Sequence, residues 1–343
     1  MAKETAKIES LMKSLNKEFG GNILHKGLAN FDYERIPFTS PRLNFMTYGG
    51  IPMGKLVEFY GAEHSGKTTT SLDIVANYQL MENAKNVVYA DLENTLDTVW
   101  ATKLGVDVDD MFILNPTNQG AESIFEKLLE LIETDEVGLV IIDSLGVMVS
   151  NQALEKSVEE KTYAGIAMGL TNFSKKAEML CHKHNCTIIG INQVRDDLNS
   201  MWGGTTTTGG KAWKHNTAVR MEFRRGDFFD NNHKKLSRQA ENPSGNYVEA
   251  LLVKSKVCPS NRRRGFYTLD YMNGIDYLYD LVELAIYYGI VQQTGAWFKV
   301  VDINTDEILL DKVQGQNKVY SALIDDEQLL AKVEQLVNEE ITK

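Results

Sequence analysis

The chain has 343 residues, enough for one large core with smaller attachments, and its 43% hydrophobic and 24% charged residues exclude global disorder. The net charge of −11 argues against a uniformly basic nucleic-acid binder, but it is unevenly spread: between Val301 and Lys343, ten Asp and Glu face four Lys. Upstream lie basic clusters at Arg195, at Lys211, Lys214 and Arg220, at Arg224-Arg225, at Lys254 and Lys256, and at Arg262-Arg263-Arg264, so a basic groove is permitted.

Ile8, Leu11, Met12, Leu15 and Phe19 recur at helical spacing before Gly20-Gly21, which predicts a short amphipathic helix with a glycine stop. From Gly49 onward, short β-rich runs alternate with longer amphipathic ones. Lys55–Tyr60, Asn86–Asp91, Met111–Leu114, Val137–Asp143 and Thr187–Asn192 read as buried strands separated by helices, the signature of a parallel sheet covered on both faces. The longest apolar run, Val137 to Val149, is broken by Asp143 and is too short and too polar to span a bilayer. Val219–Phe223 and Val248–Lys254 predict two further strands, with a polar loop over 226–246 between them. After Asn273-Gly274 the pattern changes to two or three helices and a small hairpin from Trp297 to Leu310. The expected fold is therefore α/β: a mostly parallel central sheet, a small helical N-terminal segment and a small α+β C-terminal domain, divided as 1–33, 34–270 and 271–343. The N-terminus runs into charged helix-like sequence without an apolar signal region, and three cysteines fit a reducing compartment. Both set the expectation of a cytoplasmic protein with no membrane partner.

Gly61-Ala-Glu-His-Ser-Gly-Lys-Thr68 satisfies G-x-x-x-x-G-K-[ST], follows a predicted strand and opens a helical run. Gly61 and Gly66 let backbone N–H groups turn inward around a phosphate, the helix adds its positive end, Lys67 supplies a point charge, and Thr68 offers a hydroxyl to Mg²⁺. Glu63, His64, Ser65 and Thr69 complete the candidate phosphate loop. Asp143 ends its strand at the carboxyl edge of the sheet, where ligands bind in open α/β folds, and is a candidate, with Ser144 beside it, to hold hydrated Mg²⁺. Asp91-Leu-Glu93 ends the neighbouring strand. Glu93 is preferred over Asp91 as the base that orients water. Gln193, ending a third strand, can sense a γ-phosphate without titrating.

Asn199 to Gly210, NSMWGGTTTTGG, has neither helical nor strand periodicity; its glycines free the backbone, its threonines offer uncharged hydroxyls, and alone it reads as a mobile surface loop. Cys181-His-Lys-His-Asn-Cys186 has the residue types of a zinc site, but these would point around a helix end, so no metal is expected there.

In Gly49–Thr69, Asp91–Asp97, Ile141–Ser144, Ile191–Arg195, Thr206–Gly210, Lys254–Lys256 and Gly295–Trp297, which follow one another in the family's order, the chain resembles the RecA recombinases of bacteria and phages. That resemblance implies a RecA-like P-loop ATPase core and a DNA-dependent ATPase using ATP and Mg²⁺. It further implies a helical filament of the chain on single-stranded DNA, with ATP at the protomer interface, that pairs with homologous double-stranded DNA and exchanges strands. It makes Glu93 the water-activating base, working with Lys67, and makes Gln193 the link between γ-phosphate and the following loop. Lys254 and Lys256 become the lysines that reach the neighbour's ATP, while Asp97, Trp100 and Tyr271 surround adenine.

The loop after Gln193 becomes the grip on single-stranded DNA: Arg195, Leu198, Trp202, Gly203, Gly204, Thr206, Thr207, Thr208, Gly209 and Gly210, with N–H groups and hydroxyls suited to phosphate oxygens and Leu198 and Trp202 to bases. A second DNA loop is implied near Lys156–Thr162, and the N-terminal helix is implied to pack on the next protomer. Two departures stand out. His215, in Ala212-Trp-Lys-His-Asn216, replaces an aromatic or aliphatic interface group, and the acidic tail is cut down to 338–343. A ring helicase built on the same core would need an accessory domain or ring-closing linker that the sequence lacks; a DNA-coating mediator would bind ATP without hydrolysing it.

Overall fold

A computed structural model describes residues 2–18, 33–155, 166–196, 205–237 and 239–342. The chain divides into two units, Met1–Glu34 and Arg35–Lys343. In the first, α1 (Ala2–Glu18) leaves Ile8 and Leu11 exposed. Phe19 and the expected stop at Gly20-Gly21 lie outside the described residues.

The second unit opens with β1 (Arg35–Ile36), α2 (Pro41–Thr47) and β2 (Ile51–Pro52). A series of strand and helix follows: β3 (Leu56–Gly61), α3 (Lys67–Gln79), β4 (Asn86–Asp91), α4 (Thr98–Lys103), β5 (Met111–Leu114), α5 (Ala121–Glu133), β6 (Val137–Asp143), α6 (Asn151–Glu155), α7 (Ala167–His184) and β7 (Thr187–Asp196). Next come β8 (Thr205–Thr207), α8 (Gly210–Asn216), β9 (Val219–Phe229), β10 (Gly245–Ser255), β11 (Arg264–Asp270) and β12 (Gly274–Ile275). The C-terminal part holds α9 (Tyr277–Tyr287), β13 (Val291–Thr294), β14 (Trp297–Val301), β15 (Ile308–Gln314), α10 (Gln316–Asp325) and α11 (Glu327–Thr342).

The main sheet runs β12-β11-β10-β9-β3-β7-β6-β4-β5. From β9 to β5 every neighbouring pair is parallel, because helical crossovers return the chain to the same edge. From β9 to β12 the short connections make the pairs antiparallel. Alternation along the strands divides the interior in two. Val87, Tyr89, Leu139 and Ile141 face Leu72, Val75 and Tyr78 of α3, whereas Val88, Ala90, Val140 and Ile142 face Phe125 of α5, Phe173 of α7 and Trp213 of α8. All of β6 is buried, which is why it reads as an unbroken apolar run. Each large apolar side chain so buried contributes about 1.5–3 kcal/mol.

A third core joins α9, α10, α11 and the three-stranded sheet β13-β14-β15, and Phe45 of α2 packs against it. Arg262 ties the two together: its guanidinium lies 4.2 Å from the Phe45 ring and 4.1 Å from the Tyr48 ring, and it donates to the carbonyl of Ile341 near the end of α11. The arginine run is thus partly a packing element rather than a uniformly solvated face.

Two expectations are corrected, and one strand was not anticipated. The polar segment 226–246 is shorter as a loop, because β9 continues to Phe229 and β10 starts at Gly245, the ladder pairing Phe228 with Asn246 around a buried Phe229. β11 was hidden in the sequence by its arginine-rich start. The C-terminal hairpin gains a third strand from Val291–Thr294. Among the described residues no helix is long and apolar enough to cross a membrane.

Candidate active site and nucleic-acid interface

β3 ends at Gly61, where a Cβ would stand 2.2 Å from the Phe223 carbonyl oxygen of β9, so only glycine permits this approach of the two strands. His64 at φ 55° and Gly66 at φ 94° then curl the chain in the left-handed region before α3 begins. No side chain caps the start of α3, which leaves its first N–H groups free of a side-chain acceptor and suited to an anion. Lys67 Nζ folds back to donate to Ala62 O at 2.6 Å and to Ser65 Oγ at 3.4 Å. Burial pushes the Lys67 ammonium below the usual lysine range, while the carboxylates of Asp143, Glu93 and Glu63 pull it back up. Beneath the loop Tyr267 of β11, fully buried, shares a 2.9 Å hydrogen bond with Thr70; nothing local in the sequence marked it.

Asp91 and Asp143 end adjacent, directly paired strands. Their side chains are used differently. Asp91 accepts from the N–H groups of Thr95 at 3.1 Å and Leu96 at 3.0 Å, which shapes the following turn. Asp143 Oδ2 accepts from Thr68 Oγ1 at 2.8 Å and from Tyr89 OH at 2.8 Å. Burial raises the Asp143 carboxyl above its ordinary range, and these two hydrogen bonds oppose the rise. Glu93 Oε1 accepts from Ser144 Oγ at 2.5 Å and from Gln193 Nε2 at 3.4 Å. Lys67, Thr68, Glu93, Asp143, Ser144 and Gln193 thus gather at the carboxyl ends of β3, β4, β6 and β7. The Thr68 hydroxyl and the Asp143 carboxylate, in mutual contact, form the hard oxygen donor set that suits Mg²⁺.

Of the residues expected around a base, Asp97 caps α4 by accepting from Trp100 N at 2.9 Å, and Trp100 Nε1 reaches Thr69 Oγ1 at 3.5 Å, so this pair borders the phosphate loop. Tyr271 lies at the β11–β12 turn, with its hydroxyl donating to Asn246 Oδ1 at 2.7 Å. Among the described residues it makes no ring contact with Trp100.

The segment after Gln193 is rooted as a hairpin in which β7 and β8 pair Val194 with Thr207 and Arg195 with Thr206. Arg195 Nη2 donates to Gly146 O at 2.9 Å, and Lys214 Nζ to Thr206 Oγ1 at 2.8 Å. A buried polar chain lies under this root. Asn192 Nδ2 donates to Thr208 O at 2.8 Å and to Glu58 Oε1 at 2.9 Å; Glu58 is ion-paired with Arg220, whose Nη2 reaches Thr207 Oγ1 at 3.4 Å. Thr208 Oγ1 is buried without a hydrogen-bond partner among the described residues. Gly209, at φ 102°, and Gly210, at φ 68°, turn the chain into α8. Asn192 and Glu58 were not singled out from the sequence, and Arg220 only as a member of a basic cluster, although a lone acid inside Leu56-Val-Glu-Phe-Tyr60 was an available signal. Leu198, Trp202, Gly203, Gly204 and the Lys156–Thr162 loop lie outside the described residues.

Lys254 Nζ donates to the carbonyls of Lys214, His215 and Thr217 at 2.7, 2.7 and 2.8 Å, and so caps the end of α8 within one chain. The side chain of Lys256 is exposed, with its backbone N–H on Ala218 O at 2.9 Å. In the cysteine-histidine segment, Cys181 and Cys186 are buried and burial pushes both thiols up, Cys186 to about 12.

Strand, glycine turn, helix, lysine and a carboxylate on the adjacent strands define a P-loop ATPase whose sheet edge is wired to a threonine-rich hairpin. A family model described as the RecA N-terminal domain matches residues 6–276. Over 98% of its length the chain is 31% identical to Protein RecA of Fusobacterium nucleatum subsp. nucleatum, covering 85% of that protein. It is 32% identical to Protein RecA of Ruminococcus albus over 95% of this chain and 78% of that one, and 32% identical to Protein RecA of Aquifex aeolicus over 97% and 92%. The chain belongs to the RecA family. It is a DNA-dependent ATPase and homologous recombinase that forms filaments on single-stranded DNA and catalyses homologous pairing and strand exchange.

Proposed function

We propose that ATP occupies the loop Gly61–Thr69 with Lys67 on its terminal phosphates, Trp100 and Asp97 beside the base, and Tyr271 approaching from a further element. Thr68 and Asp143 would hold Mg²⁺, which when bound offsets charge on the phosphate oxygens. Glu93 orients and deprotonates the attacking water, held in place by Ser144 and Gln193. Lys254 and Lys256 act on the ATP of the neighbouring protomer, so ATP lies between subunits of a helical filament. Residues 1–33 serve oligomerisation, 34–270 form the ATPase core with its DNA loops, and 271–343 form the C-terminal domain. The filament first holds single-stranded DNA and then admits double-stranded DNA, in the cytoplasm.

The observation that carries this reading is the continuity from Glu93 through Gln193 and its neighbour Asn192 to Thr208 and, by way of Glu58 and Arg220, to Thr207. A shift of Gln193 toward a γ-phosphate would be felt directly at the root of the hairpin. The clustered Arg195, Lys211 and Lys214 supply phosphate contacts that need no base sequence. The test is ATP hydrolysis titrated with single-stranded DNA at several salt concentrations. Stimulation that weakens steeply as salt rises supports the reading; hydrolysis indifferent to DNA at every salt concentration rules it out.

A further inference from the structure

β4 reads Asn86-Val-Val-Tyr-Ala-Asp91, and Tyr89 brings a hydroxyl into an otherwise apolar strand centre. Its ring is 1% exposed, in the core beneath α3, where a phenylalanine would fill the same space. Burying a phenol is costly unless the hydroxyl finds a partner. The partner is Asp143 Oδ2, 2.8 Å away. Register accounts for the meeting. Tyr89 pairs with Ile141 on parallel β6, and Asp143, two residues on, projects from the same face. Thr68 Oγ1 reaches the same Oδ2 at 2.8 Å, while Oδ1 accepts no hydrogen bond among the described residues.

We propose that Tyr89 is a positioning residue for the carboxylate that holds Mg²⁺, an inference that rests on the assignment of Asp143 and Thr68 to that cation. The two donors on Oδ2 differ in kind. Thr68 belongs to the cation site itself, in the first turn of α3, and moves with whatever the phosphate loop holds. Tyr89 is fixed by the packed core behind the site, so its hydrogen bond sets the carboxylate plane before any ligand arrives and leaves Oδ1 as the free oxygen. Magnesium requires near-ideal octahedral geometry at about 2.0–2.1 Å, which makes its binding sensitive to a carboxylate that can rock. Groups that orient a metal ligand through a hydrogen bond are typically worth about 10- to 100-fold in metal affinity.

The test is equilibrium binding of a non-hydrolysable ATP analogue to the full chain at increasing Mg²⁺, and in EDTA, for the wild type, Tyr89→Phe and Asp143→Asn, with thermal melting of each. For Tyr89→Phe the half-saturating Mg²⁺ should rise about 10- to 100-fold, with binding in EDTA unchanged and melting close to wild type. A wild-type Mg²⁺ midpoint in Tyr89→Phe, alongside a shifted one in Asp143→Asn, overturns the role of Tyr89 and leaves the cation site standing. Equal weakening of analogue binding with and without Mg²⁺ also overturns it, since that marks a packing role alone. An unshifted midpoint in Asp143→Asn removes the cation assignment, and this inference falls with it.

Discussion

Asp91 and Glu93 are two residues apart and look interchangeable as bases, yet Asp91 commits its carboxylate to the amides of Thr95 and Leu96, whereas Glu93 accepts from the side chains of Ser144 and Gln193. Strand alternation does not separate them, because residues two apart share a face and β4 ends at Asp91. Nor could it reveal what occupies Asp91, because that depends on how the next turn folds back. Replacing Glu93 with Gln keeps the shape and removes the base, so hydrolysis should fall by about 10²- to 10⁴-fold while nucleotide binding survives. Single-turnover hydrolysis beside equilibrium binding measures the split. Lys67→Ala should remove turnover altogether, because no other cation is held inside the phosphate loop among the described residues; retained turnover would displace the site.

At the scale of elements, the β7–β8 hairpin and α8 form one device. Asn192 is fully buried and donates both to Glu58 and to the Thr208 carbonyl, so Asn192→Ala strands two acceptors and should cost about 1–3 kcal/mol in chemical denaturation. The same change should lower the ratio of DNA-stimulated to basal hydrolysis, which a defect confined to stability would leave alone. Gly209 has φ 102° and a Cβ there would stand 2.3 Å from Leu170 Cδ2, so Gly209→Ala combines backbone strain with a clash. A loss of single-stranded DNA affinity larger than that of nucleotide affinity is the expected outcome, read by parallel binding titrations. The hairpin was only partly legible: the sequence marks a glycine- and threonine-rich segment, but its pairing with β7 and the polar chain beneath it arise from strands far apart in the chain.

For the molecule as a whole, two buried carboxyls join its parts. Asp280 of α9 accepts from Thr268 N at 3.2 Å and Thr268 Oγ1 at 2.9 Å on β11, and burial raises its pKa to about 7. Asp73 of α3 accepts from Thr39 N at 3.1 Å, and burial raises it to about 6. A carboxyl raised in the folded state favours folding fully below its unfolded value, and that contribution is lost as pH climbs through the folded value. These groups therefore lower stability as pH rises from about 4 to about 7. Asp280→Asn should flatten that slope, measured as denaturant midpoints across the same range.

Sequence alone determined the doubly wound core, the phosphate loop and the recombinase family, because these depend on local spacing: apolar runs of strand length, a glycine turn between strand and helix, and motifs in a fixed order. Tertiary structure alone decided that Tyr89 meets Asp143, that Asn192 joins Glu58 to the hairpin, that Lys254 caps α8, and that Arg262 clamps α11. Each of these is a contact between groups distant along the chain, set by strand register and by the need of a buried polar atom for a partner, and neither is written in any local stretch of residues.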